Sequence, residues 1–307
     1  MRAVFAGLLL LAGLAGAYLT VTGEVTGTYW LQFWGALGIA CVASGFGGRS
    51  RAGRFLLPLA VPFVLLLLWQ GLVVGFDVPK GIFPSVTDVW ASLQATFPVL
   101  LRDAYVTFIK EVLLGFVIGF AAGFLAGVGI ASSLFLQRGF LPLAAAFGAV
   151  PIVGLAPVLG RAFGVDWESK AAVVVIVTFF PVLLNTVQGL MSVDTLKLEL
   201  LRAYAAKPAE IFFKLRLPNA LPYLFNALKL AVVLSVVSVI VAEFLIPGPP
   251  EGLGQRISLS ARRGAYDVVF AAIFVSSVFS ITVYNVIAWL ERRSTQWHPS
   301  LREEVEV

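Results

Sequence analysis

Long apolar runs alternate with short polar breaks along most of the chain. The runs at 4–22, 29–45, 55–76, 105–130, 141–164, 171–190, 223–246 and 267–290 are each close to the roughly 20 residues a helix needs to cross a bilayer. They predict an all-α polytopic membrane protein with about eight transmembrane helices. Ala15-Gly16-Ala17 resembles a signal-peptide cleavage site, but a retained helix is the favoured reading of 4–22, because no soluble mature domain follows. The stretch 77–103 is amphipathic, is broken by Pro79, Pro84 and Pro98, and is expected at the outer surface. Gly115, Gly119, Gly123 and Gly127 recur every four residues, a ridge that lets another helix come close. Pro151, Gly154 and Pro157 interrupt the run 141–164. Mid-membrane breakers are tolerated where other groups satisfy the freed carbonyls, often beside a cavity.

One break is not an ordinary loop. Residues 194–218 lie between two spans yet carry much apolar surface. Asp194 is placed to cap a helix running from Thr195 to Ala206. Leu196, Leu200, Ala203 and Tyr204 share one face of that helix, with Leu201 and Ala205 at its edge. Glu199 and Arg202, three apart on the other side, are expected to pair. Pro208 starts a second short helix, Glu210 suits its positive end, and Pro218 is expected to close it. Such a segment asks for a protein partner; the alternative is a helix pair lying on the membrane surface.

Composition narrows the chemistry. The chain of 307 residues is 59% hydrophobic and 13% charged, about half the usual charged share of a soluble domain. Its net charge of +5 reports membrane topology, not nucleic acid. With the first residue inside, thirteen basic residues fall in inner segments and seven in outer ones, which puts both termini in the cytoplasm. The single cysteine, Cys41, rules out an internal disulfide; no metal-ligand cluster is present; the single histidine, His298, lies in the tail. No cofactor is expected. No phosphate-cradling Gly-rich loop ending in Lys-Ser/Thr occurs, so ATP-driven transport needs a separate hydrolysing subunit, and this chain is not expected to be an enzyme. The ionisable residues within spans are Lys110, Glu111, Lys229 and Glu243, functional candidates because a charge in lipid is costly. Lys229 and Glu243 sit roughly 21 Å apart along one helix, too far to pair. Lys229 is placed to snorkel, and Glu243 to line a gate or hold the loop that follows.

The segment 198–218 resembles the EAA loop of permease subunits of ABC importers. Glu199 falls on the glutamate of that motif and Leu217-Pro218 on its closing pair. Leu200-Leu201 replace the two alanines and Ala205 the glycine; if that position needs positive φ, alanine costs about 1 kcal/mol there. Further resemblances, to the sulfonate, nitrate, taurine and vitamin-precursor branch, are Phe83-Pro84-Ser85 with Val89-Trp90, Val150-Pro151 to Ala156-Pro157, Phe180-Pro181, Asn185-Thr186, Val241-Ala242-Glu243 and Gly252-Leu253-Gly254. The resemblance implies a type I importer permease core over 55–297, with two additional N-terminal helices in 1–54 and a cytoplasmic tail at 298–307. It implies that Glu199, Arg202, Ala203, Tyr204, Ala205, Ala206, Lys207 and Pro208 dock on an ABC ATPase. It also implies an extracytoplasmic substrate-binding protein, a second permease copy in a homodimer, and a place among the lipids of the inner membrane. Pro151, Pro157, Asn185 and Glu243 become candidates for the pathway. The substrate class implied is a small organic anion, or a vitamin or its precursor. The rival class, a self-contained ion-coupled carrier, would want an internal repeat, and none is visible.

Overall fold

The computed structural model describes residues 68–148 and 150–295, together with 62, 65 and 66. The expected N-terminal helices, Cys41 and the tail from His298 lie outside these residues. All regular structure among the described residues is helical: α1 (Val86–Tyr105), α2 (Leu114–Ala131), α3 (Leu134–Gly148), α4 (Ile152–Phe163), α5 (Trp167–Met191), α6 (Thr195–Ala203), α7 (Pro208–Ile211), α8 (Leu217–Leu245), α9 (Leu253–Arg262) and α10 (Tyr266–Ser294), with a helical stretch over 68–75 ahead of them. Wider i→i+5 turns over Val106–Leu113 and Phe212–Arg216 join α1 to α2 and α7 to α8. Four continuous helical stretches among the described residues are long and apolar enough to cross a membrane: Val86–Ala131, Trp167–Met191, Pro208–Leu245 and Tyr266–Ser294.

Three boundaries differ from the sequence expectation. The broken surface stretch becomes α1 and runs on into the span. Pro98 sits on an exposed face of that helix, and the carbonyl it leaves without a helical donor belongs to exposed Gln94. The run 141–164 is divided between two helices of 15 and 12 residues, because Pro151 is extended and caps α4, and α3 already starts at Leu134. Pro218 does not close a helix but lies in the first turn of α8. A proline ring crowds the carbonyl four residues back. The wide turn of Phe212–Arg216 just before it opens the backbone there, so the helix continues.

The chain divides into two compact units. The smaller takes in the described residues up to Thr96 and the stretch Ser260–Ala271. In it Trp69, Phe83 and Phe270 pack with ring centroids 5.2–5.5 Å apart, and the Trp69 indole N–H donates to the Pro84 carbonyl at 3.0 Å. Ser85 caps α1, its hydroxyl accepting from the Asp88 N–H at 3.2 Å. The larger unit, Phe97–Leu259 with the chain from Ala272, holds the main helical core. There the glycine ridge lies against α5: a Cβ on Gly115 would stand 2.5 Å from the Ala171 carbonyl oxygen, and one on Gly119 2.7 Å from that of Val175. Only a residue without a side chain fits, so the ridge faces a helix and not lipid. Helix α5 packs on α8 as well, where the Thr178 and Ser235 hydroxyls meet at 3.1 Å.

Candidate functional site

Two places in the larger unit bring sequence candidates together. The first is the excursion between α5 and α8. Asp194 caps α6 by accepting the Leu196 N–H at 2.9 Å, and Glu210 accepts the Lys207 N–H at 2.9 Å across the start of α7. The base of the excursion is closed. The Asn219 side-chain amide donates to the Ser192 hydroxyl at 2.8 Å and to the Gly189 carbonyl at 3.2 Å, which ties the start of α8 to the end of α5.

Helix α6 is shorter than expected. It ends at Ala203, and Ala205 turns the chain with φ +54°. This is the position where the family motif has glycine, so alanine stores strain there of about 1 kcal/mol. The expected Glu199–Arg202 pair is not formed; the ion pair in this segment joins Lys214 to Glu210 at 3.3 Å. Glu199 and Arg202 are both exposed, and there hydration competes with a pair that would order two long side chains. The apolar face is in place and uncovered: Leu196 is 73% exposed, Leu200 57% and Tyr204 78%. Ala203, Ala205, Lys207 and Pro208 are exposed too, and Ala206 is half-buried.

The second place is the far end of α8. Glu243 is fully buried, and both its carboxylate oxygens accept hydrogen bonds. Oε1 accepts the Thr107 hydroxyl at 2.7 Å; Oε2 accepts the backbone N–H of Gly254 and, at 3.2 Å, that of Gln255. Gly252 and Gly254 crowd the carboxylate so closely that a Cβ on either would strike it. Around this centre the Leu253 N–H donates to Thr107 at 2.9 Å, the Gly252 N–H to Asp103 at 3.3 Å, and Arg256 pairs with Asp103 at 2.7 Å. The carboxylate thus holds the loop that follows α8. Pro151 and Pro157 are exposed on α4, which packs beside this end of α8 through Ala156 and Ile246. Asn185 lies apart and turns to its own helix, donating to the Pro181 carbonyl at 2.8 Å. Lys229 does not snorkel freely but pairs with Glu291 of α10 at 2.7 Å. Sequence reasoning missed Asp103 and Thr107, and took Glu111 only as a charge within a span. The spacing of four from Asp103 to Thr107 to Glu111 is the available signal, and placing an element boundary between 103 and 105 hides it.

Residues 115–296 match the family of binding-protein-dependent transport system inner membrane components. The chain belongs to this family. A probable ABC transporter permease protein of Haemophilus influenzae is 31% identical over 240 residues, 78% of this chain and 97% of that protein. The formylaminopyrimidine transport permease protein ThiX of Halalkalibacterium halodurans is 32% identical over 252 residues, 81% of this chain and 98% of that protein. Among solved structures, an inward-facing conformation of the MetNI methionine ABC transporter superposes with a TM-score of 0.54 at 20% identity, covering 66% of this chain and 99% of that one, a likeness of fold. The chain is a transmembrane ABC transporter permease of binding-protein-dependent import, in a family whose members work with a separate ATPase and a substrate-binding protein. An ion-coupled carrier finds no support in these matches.

Proposed function

We propose that this permease forms the translocation pathway of an importer for a small heteroaromatic vitamin precursor of the pyrimidine type, handed over by an extracytoplasmic binding protein. The substrate class is suggested by the formylaminopyrimidine permease, alike over almost its whole length. The charges at Lys229 and Glu243 are already engaged, one by Glu291 and the other by its loop, which agrees with a neutral cargo. A small organic anion is the second reading, favoured by the sulfonate-branch motif at Phe83-Pro84-Ser85 and Val89-Trp90.

In this proposal the ATPase docks on Glu199, Arg202, Ala203, Tyr204, Ala205, Ala206, Lys207 and Pro208. The observation that carries it is the uncovered apolar face of α6 on a base clamped by Asn219. A push on α6 then reaches α5 and α8 together. Both termini lie in the cytoplasm of a cell with this permease in its inner membrane, and two copies pair. Pro151, Pro157 and Asn185 border the path, while Glu243 secures the loop at its mouth. The test is reconstitution in proteoliposomes with the ATPase and binding protein of the same transporter. ATP-dependent uptake of a labelled aminopyrimidine, competed by unlabelled pyrimidine but not by an alkyl sulfonate, is the expected result. Competition by the sulfonate alone would replace the substrate class, and uptake without the ATPase would overturn the reading altogether.

A further inference from the structure

Beside Glu243 lies a second buried carboxyl. Glu111, four residues after Thr107 in the wide turn between α1 and α2, is 2% exposed, and its carboxyl lies beside that of Glu243, to which Thr107 donates. Among the described residues its Oε2 is buried without any hydrogen-bond partner. Buried polar atoms are rarely left so, and a buried carboxylate least of all.

The donors around the pair decide where a proton belongs. Thr107 accepts from the Leu253 N–H, and its hydroxyl hydrogen goes to Glu243 Oε1. The Gly254 and Gln255 N–H groups point at Oε2. Each oxygen of Glu243 thus receives hydrogens, and a proton on Glu243 would face donors. Glu111 is the opposite: an acceptor with nothing to accept. As a neutral acid it becomes a donor, and the remaining lone pairs of Glu243 are its natural target.

The other charges agree. Lys170 of α5 lies near both glutamates, with its ammonium donating to the Val165 and Asp166 carbonyls. One cation faces two carboxyls. Asp103 is neutralised by Arg256, Lys110 is half-exposed, and Asp166 and Glu168 add negative charge near Lys170. Among the described residues negative charge is in surplus here, and two adjacent buried carboxylates strongly disfavour joint ionisation.

We infer that Glu111 and Glu243 bind one proton between them, with Glu111 as the acid and Glu243 as the carboxylate that holds the Gly252–Gln255 backbone. The site's ligand is a proton, and its work is to pin this loop to α8 and to the turn after α1. The inference does not depend on what the chain transports.

Infrared spectroscopy of the full chain in lipid nanodiscs reads the proton directly. Wild type near neutral pH is expected to show the carbonyl stretch of a protonated glutamic acid, identified by a shift on 13C labelling of glutamate carboxyls and on exchange into 2H2O. Glu111→Gln keeps a neutral donor and should lose that band and remain folded. Glu243→Gln turns an amide NH2 toward the loop donors and should unfold well below wild type. Absence of a glutamic acid band in wild type overturns the inference with no variant needed. Retention of the full band in Glu111→Gln, or a Glu243→Gln chain as stable as wild type, overturns the assignment of acid and carboxylate.

Discussion

The loop that follows α8 and the excursion that precedes it are built in opposite ways. After α8, the backbone N–H groups of Gly252, Leu253, Gly254 and Gln255 all donate to buried side chains, those of Asp103, Thr107 and Glu243, and Leu253 itself is fully buried. The Gln255 amide reaches back to the Glu243 and Ile246 carbonyls at 2.5 and 2.9 Å. Before α8, the side chains with most to gain from burial face outward, and the turn at Ala205 holds a left-handed conformation that alanine dislikes. One loop is completed by the chain's own residues. The other carries exposed apolar area next to a tied base, which in the proposed coupling is the face offered to the ATPase. Both hang from the same α2–α5–α8 core, so the contrast belongs to the loops and not to the scaffold.

The contrast breaks if both ends respond alike to substitution. The largest effect is expected at the shared scaffold. Gly119→Leu must force α2 and α5 apart, because a Cβ alone already meets Val175 and Thr178 at 2.7–2.8 Å. Overpacking costs about 1–3 kcal/mol where neighbours can yield; here the nearest atom is backbone, so the two helices cannot pack and the fold as a whole is lost. Loss of folded protein in size-exclusion chromatography is the expected readout; a normally assembled variant would put the ridge outside the packing. Next comes Glu243→Ala, which strands the donors of Thr107, Gly254 and Gln255 and is expected to remove about 3–5 kcal/mol, seen as a large fall in Tm. Leu196→Asp on the exposed face should by contrast change stability by no more than about 0.5 kcal/mol. Equal falls in Tm for these two would erase the distinction between a finished loop and an open one.

Smaller changes sharpen it. Ala205→Gly relieves the positive φ and is expected to stabilise the turn by about 1 kcal/mol, measured as slower amide exchange over residues 201–207. Faster exchange there would mean that the turn is not left-handed. Smallest is Lys214→Ala, which removes an exposed pair four residues apart. Its Tm is expected to match wild type; a clear fall would show that the excursion is held by its charges and not by its base.

Much of this was legible in the sequence, and the reasons are physical. The four-residue glycine period, the Asp194 cap and Pro208 at a helix start are local signals, and each stands where it was expected, whereas of the expected spans 105–130, 171–190, 223–246 (as far as Leu245) and 267–290 fall within long apolar helices and 141–164 is divided. The positive φ at Ala205 follows from a motif glycine replaced by alanine. Prolines misled. Pro98 and Pro218 read as breaks, yet an exposed helix face tolerates one and a widened turn the other. The Glu111–Glu243 contact joins residues far apart in sequence, so no local pattern pairs them, although both stand out as charges within spans. The unmade Glu199–Arg202 pair is the reverse case. Spacing permits such a pair, but at an exposed site ordering two long side chains offsets the small gain.

In the proposed coupling, α6 and the Ala205 turn pass the ATPase's motion to the membrane helices. The most direct measurement is co-purification of the ATPase with Tyr204→Asp and Ala205→Asp permeases, followed by substrate-stimulated hydrolysis in proteoliposomes. Both variants are expected to insert and fold as wild type does, yet to lose most of the bound ATPase or to hydrolyse ATP without uptake. Full ATPase binding with wild-type uptake in both would contradict that role.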